Sequence, residues 1–318
     1  MALVRVPRSW EIRENLVTAE SAYLNRRHFL KTTAAIGGSL FLNGGLQAES
    51  EEAVSDRDAV QALYPPEWNP AYRVHLPMTE EAVAGRYNNF YEFTTIKEKV
   101  YEVAQSFETY PWTIELDGHC ENKGRFDVDA LIRQFGIEER VYRFRCVEAW
   151  AMVVPWSGFP LHKLIDFAMP TDKAQYVCMY AFFRSEEATG QKKQNWYPWP
   201  YFEGMRLDEA RNELAVMATG IYGKEMPVQH GAPIRLVVPW KYGYKSIKSV
   251  VKIEFSRRQP DTFWNTLSPR EYDFWSNVNP AVPHPRWSQA TELMIGSGER
   301  LQTLKYNGYR KQVEHLYS

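Results

Sequence analysis

The chain has 318 residues, a formal charge of −1, 44% hydrophobic and 24% charged residues. That length can bury a large core as one big domain or two small ones, and the near-neutral balance argues against a global nucleic-acid-binding surface. Aromatic residues make up 14%, including 11 Trp and 19 Tyr, enough to line deep pockets as well as fill a core.

Residues 1–48 read as a twin-arginine signal peptide. A polar, basic leader ends at Arg26-Arg27, followed by His28-Phe29-Leu30-Lys31 and an apolar segment ending at Leu46. Leu46-Gln47-Ala48 supplies part of a small-x-small cleavage pattern. Gly37, Gly38, Asn43, Gly44 and Gly45 interrupt the apolar runs, which argues against a permanent membrane-spanning helix. The expected location is the periplasm, reached through the twin-arginine export machinery.

Residues 49–95 are acidic at first (Glu49, Glu51, Glu52) and then carry Pro65, Pro66, Pro70 and Pro77, predicting an extended arm rather than a packed unit. Within it, Tyr87-Asn88-Asn89-Phe90-Tyr91-Glu92-Phe93 is dense in aromatics and side-chain amides. Residues 96–318 read as one α+β domain. Strands are expected over 112–116, ending at an Asp117-Gly118 turn, and over 141–145, 176–183, 214–218, 234–238 and 250–255. Asp127 or Asp129 caps a short helix running through Phe135 to Gly136, and a second helix covers 161–167. Many short strands with few helices predict a β-rich layered fold, with an irregular tail from Pro260 wrapping it.

Cys146 lies beside Arg145 and near Arg143, ahead of an apolar run. A thiolate is both nucleophile and metal ligand, and neighbouring cations favour it, so the two arginines predict an ionised Cys146. Taken alone, an inert core cysteine remains the commoner case. Cys120, Cys146 and Cys178 are an odd number with no CxxC spacing, which suits neither a disulfide framework nor a structural zinc. Cys120 and Cys178 read as small buried residues. Downstream, a Gly231-Ala232-Pro233 turn leads into a strand bearing Arg235 and a loop bearing Lys241, Lys245 and Lys248. That arrangement suits a phosphate cradle or, equally, a solvated basic loop. Neither GxxxxGK[ST] nor GxGxxG is present, and the histidines show no HExxH spacing.

Four segments together resemble one family: YNNFYEF, RCVEAWAMVVPW, HGAPIRLVVPWKYGYKSIKS and NVNPAVPHPRWSQATE. They are similar to the catalytic subunits of periplasmic protein-methionine-sulfoxide reductases, within the wider sulfite-oxidase-like molybdopterin enzymes. The likeness runs from the twin-arginine motif to about Tyr309. It implies a sulfite-oxidase-like molybdopterin-binding fold and a Mo-molybdopterin cofactor whose metal is bound by Cys146. By the same resemblance, Asn88, Tyr91 and Glu92 line the pterin, and Arg235 with Ser246, Ile247 and Lys248 holds its phosphate. Ala181 stands where a threonine is common and His230 where an asparagine is common, so both are carried over as cofactor contacts that depart from the pattern.

The implied activity is repair of methionine sulfoxide in periplasmic proteins by oxygen-atom transfer to reduced molybdenum, with electrons from a membrane haem-binding subunit. Glu148 is the candidate for moving protons or hydrogen-bonding in the pocket, with a plain salt bridge as the alternative. Trp150 and Trp156 either rim the entrance or pack the core. The competing reading is a sulfite or related oxyanion oxidase, whose site should gather arginines. The carboxylate and apolar residues after Cys146 favour a neutral S=O. The chain ends without room for the trailing dimerisation domain of sulfite oxidases, so a monomer is expected.

Overall fold

The computed structural model describes residues 56–318; the expected signal peptide lies outside the described residues. Among the described residues, twelve strands form two sheets. The smaller contains β1 (Thr113–Gly118), β2 (Gly124–Asp127), β5 (Tyr176–Ala181), β6 (Phe202–Arg206) and β10 (Val250–Ser256), in the order β2-β1-β10-β5-β6. The larger contains β3 (Glu138–Arg145), β4 (Trp150–Pro160), β7 (Val216–Ile221), β8 (Lys224–Glu225), β9 (Arg235–Val237), β11 (Thr291–Met294) and β12 (Arg300–Gln302). This is a mixed α+β, sheet-rich domain, as its sequence pattern predicts.

β4 is buried at every position, which explains its unbroken apolar run: both faces are covered, so no residue alternates outward. β3 pairs antiparallel along one edge, from Glu138 opposite Gly158 to Arg145 opposite Ala151. The other edge is shared, with β11 parallel at Trp150 and Ala151 and β7 antiparallel from Trp156 onward. The short connection between β3 and β4 therefore projects from the centre of the sheet, and Cys146 opens it. The predicted capped helix is present as Val128–Phe135: Asp127 accepts a hydrogen bond from the Ala130 amide at 3.0 Å, and Gly136 closes it with a positive φ.

Two segments differ from expectation. Residues 56–95 are not an unpacked arm, because Val60, Ala84, Phe90 and Phe93 are buried in the main core. The prolines prevent long helices but leave side chains free to dock. Backbone hydrogen bonds from Asn69 to Glu139 and from Thr79 to Val153, both 2.8 Å, tie the segment to β3 and β4. The tail is also more ordered than its composition suggests, since it supplies β11 and β12 to the larger sheet. Among the described residues, no helix is long and apolar enough to cross a membrane.

Candidate active site

Cys146 begins a tight loop. Its amide donates to the Trp150 carbonyl at 2.9 Å, the Ala149 amide donates back to the Cys146 carbonyl at 3.2 Å, and Ala149 takes φ +65°. The Val147 carbonyl accepts from Trp287 Nε1 at 2.8 Å and from Gln289 Nε2 at 2.7 Å. Arg145 donates to the Cys146 carbonyl, and its guanidinium also reaches Gln289 Oε1 at 2.8 Å. The tail thus holds the Val147 carbonyl and braces the Arg145 that holds the Cys146 carbonyl, while the thiol faces a cleft.

The expected electrostatics of that thiol do not hold. Arg145 is completely buried and pairs with Glu292 Oε2 at 3.0 Å, and Arg143 pairs with the other oxygen of the same carboxylate. Both guanidinium charges are committed to β11. Burial pushes the Cys146 thiol up to about 12, and the Glu148 charge adds to that. Ionisation must then come with the ligand, because a metal deprotonates a coordinating thiol outright.

Glu148 Oε2 lies 3.7 Å from Cys146 Sγ and accepts from Asn89 Nδ2 and Trp150 Nε1, both at 3.1 Å. Lys97 Nζ sits 3.1 Å from the same oxygen. Burial raises the Glu148 pKa, but Trp150, Asn89 and Lys97 outweigh it and hold the carboxyl below its usual range. Glu148 is therefore ionised at neutral pH. The salt bridge foreseen as an alternative role exists, but its cation is Lys97 rather than an arginine.

The cleft is lined by aromatic and apolar side chains with a few convergent polar and charged groups, the usual make-up of a ligand site. Around it stand Asn88, Tyr91, Glu92 and Cys146 from one side of the sequence. His230, Arg235, Ser246, Ile247 and Lys248 come from the other. Gly231 explains one close approach: at φ +103°, its missing Cβ would lie 2.6 Å from Lys248 Cβ. Ala181 is not brought to the cleft. Its amide donates to the Tyr201 carbonyl at 2.8 Å, so Tyr201 lines the wall and Ala181 lies behind it. Trp150 lines the cleft, whereas Trp156 is fully buried against the Arg235 guanidinium, 5.0 Å away. Cys120 and Cys178 are buried free thiols that do not line the cleft.

Two observations test whether a cofactor fits. Lys241 and Lys245, expected to join a phosphate cradle, are each neutralised inside the protein by Glu209 and Glu203. Arg235 and Lys248 are not. Arg235 donates only to the carbonyls of His230, Leu236 and Ser246, and Lys248 to the Asn89 carbonyl at 2.7 Å. Neither makes a carboxylate ion pair among the described residues, although Glu92 acts on Lys248 through space. Burial pulls both cations below their ordinary pKa values, reinforced at Lys248 by the neighbouring Arg235. Two buried cations sharing one cleft call for an anion, and a phosphate meets both.

The second observation is a set of unpaired acceptors. Asn88 Oδ1, Asn89 Oδ1 and Gln229 Oε1 are buried on the cleft without partners. Asn88 Nδ2 donates to the Ala84 carbonyl and Asn89 Nδ2 to Glu148, so each amide is anchored while its oxygen is left without a partner. Pterin N–H groups suit such acceptors. No cluster of three or more His, Cys, Asp or Glu side chains suited to a metal occurs among the described residues, and Cys146 stands as the single thiol among the residues lining the cleft. Asn89, Gln229, Tyr201 and Lys97 were not singled out by sequence reasoning. Asn89 and Gln229 adjoin recognised residues, but nothing local pairs Lys97 with Glu148.

Residues 101–264 match the family model for the oxidoreductase molybdopterin binding domain. A similar solved structure is that of the sulfane dehydrogenase SoxCD from Paracoccus pantotrophus, with 12% identity and a TM-score of 0.42. The match covers 69% of this chain and 56% of that one, so this chain spans little more than half its length.

Proposed function

Because the chain belongs to the oxidoreductase molybdopterin-binding domain family, and with it takes a Mo-molybdopterin cofactor, we propose that it reduces methionine sulfoxide in proteins. When bound, the cofactor supplies the two-electron chemistry and the oxygen-atom transfer. The chain's own part is positional and electrostatic. Cys146 would ligate the metal, Arg235 and Lys248 would hold the phosphate, and Asn88, Asn89 and Gln229 would accept from the pterin.

The observation that carries the substrate reading is Glu148 at 3.7 Å from Cys146 Sγ, held ionised by Lys97. A carboxylate there repels an anion such as sulfite, while Arg143 and Arg145 are turned away to Glu292. Tyr87, Tyr91, Trp150, Trp264 and Tyr272 line the same cleft and offer apolar area to a neutral thioether chain.

The Arg26-Arg27 motif supports export to the periplasm through the twin-arginine machinery, and the resemblance supports a membrane haem-binding electron donor. The test is turnover of a methionine-sulfoxide peptide by molybdenum-loaded protein with a reduced viologen dye, beside a Cys146→Ala control. Activity confined to the native protein supports the reading. Sulfite oxidation by fully loaded protein that leaves the sulfoxide untouched overturns it and establishes an oxyanion oxidase.

A further inference from the structure

Trp196 is 69% exposed, more than any other large hydrophobic side chain among the described residues. Its ring is not isolated. It meets Tyr197 at 5.8 Å, Tyr197 meets Trp264 at 6.2 Å, and Trp264 meets Tyr91 at 5.1 Å and Tyr272 at 5.4 Å. Trp264, Tyr91 and Tyr272 line the cleft together with Cys146 and Glu148. A continuous aromatic ridge thus runs from solvent to the Cys146 end of the site.

The segment bearing this ridge is fixed to the cleft wall. A Cβ on Gly190 would lie 2.2 Å from the Tyr91 carbonyl oxygen, so glycine lets the two backbones touch. The Gln191 amide donates to the Glu92 carbonyl at 3.0 Å, and Gln194 Nε2 to the Tyr91 carbonyl at 3.1 Å. Trp199 Nε1 closes the segment on the Gln194 carbonyl at 2.9 Å. An exposed indole on a support this well tied is preorganised for contact and loses little entropy when covered.

We propose that the Trp196–Tyr197 ridge docks the polypeptide that carries the sulfoxide, gripping an apolar side chain that flanks the oxidised methionine. This rests on the reductase reading above. A protein-bound sulfoxide must bring its neighbouring residues across the rim. The ridge is continuous with that rim, and its aromatic surface suits an unfolded, apolar-flanked segment rather than a charged one.

The experiment compares two substrates on molybdenum-loaded Trp196→Ala and Trp196→Phe proteins with the same dye as donor. One is a peptide with leucines flanking a central methionine sulfoxide; the other is N-acetyl-methionine-sulfoxide amide. Trp196→Ala is expected to raise the peptide KM about fivefold to tenfold with kcat unchanged. The small sulfoxide should be reduced as by native protein, and Trp196→Phe should recover most of the peptide affinity. An unchanged peptide KM overturns the inference. Equal losses on both substrates also overturn it, placing a structural role at the ridge. Native protein that reduces neither sulfoxide overturns the reductase reading, and docking falls with it.

Discussion

Arg145 and Glu292 form a completely buried ion pair that joins the residue before Cys146 to a strand 147 positions downstream. The pair draws the two guanidinium groups of Arg143 and Arg145 to one carboxylate behind the loop, and burial of the thiol together with the Glu148 charge outweighs what Arg145 still contributes. Removing one partner leaves an uncompensated buried charge. Glu292→Gln should therefore lower unfolding free energy by about 3–5 kcal/mol. The double replacement Arg145→Met with Glu292→Leu should recover much of that loss. Denaturant midpoints of the three proteins check both statements.

Gln289 tests the loop itself. It bridges Arg145 and the Val147 carbonyl, and Trp287 still holds that carbonyl when the amide is removed. Gln289→Leu should fold, yet shift the Cys146 thiolate-to-metal absorption band and lower activity about tenfold to a hundredfold. An unmoved band at full metal content would show that the loop needs no such support.

The four basic residues of the 235–248 stretch should separate into two classes. Lys241→Gln leaves Glu209 buried without its cation and should destabilise the fold by about 3–5 kcal/mol. Lys248→Gln removes a buried cation that has no ion pair, so the empty protein should lose little stability while cofactor retention falls. Thermal unfolding of cofactor-free protein, set beside the phosphorus and molybdenum content of loaded protein, distinguishes the two.

His230 sets an acid limit. Burial, with help from Arg235 and Lys248, pulls its pKa down to about 3. The unfolded chain binds this proton below about 6.5, and the folded protein only near the lower value. Unfolding therefore takes up a proton between these limits, and stability is lost as pH falls through that window. At pH 4.5 the loss should be about 2–3 kcal/mol relative to pH 7. His230→Gln should flatten this limb in denaturant titrations of cofactor-free protein.

What the sequence disclosed depended on how local each feature was. The Val128–Phe135 helix was readable from its Asp127 cap and terminal Gly136, whereas β4, buried on both faces and so without alternation, was not assigned as a strand. Residues 88–92, Cys146 and 230–248 were found because each lies within a contiguous motif that folds to face the cleft. Counter-ions were not legible. The sign of Arg145, Lys241 or Lys97 is written in the chain, but Glu292, Glu209 and Glu148 become their partners only through packing between distant segments. Ala181 was misplaced for a related reason, since strand pairing puts Tyr201 in front of it.

The Val147 carbonyl is held by Trp287 and Gln289, and Arg145, which holds the Cys146 carbonyl, takes its counter-ion Glu292 from the same distant stretch. A growing polypeptide that has not yet reached Trp287 leaves the Val147 carbonyl unmet and Arg145 without its anion. The loop that carries Cys146 is therefore fully braced only once the stretch from Trp287 to Glu292 has been made and folded back onto it.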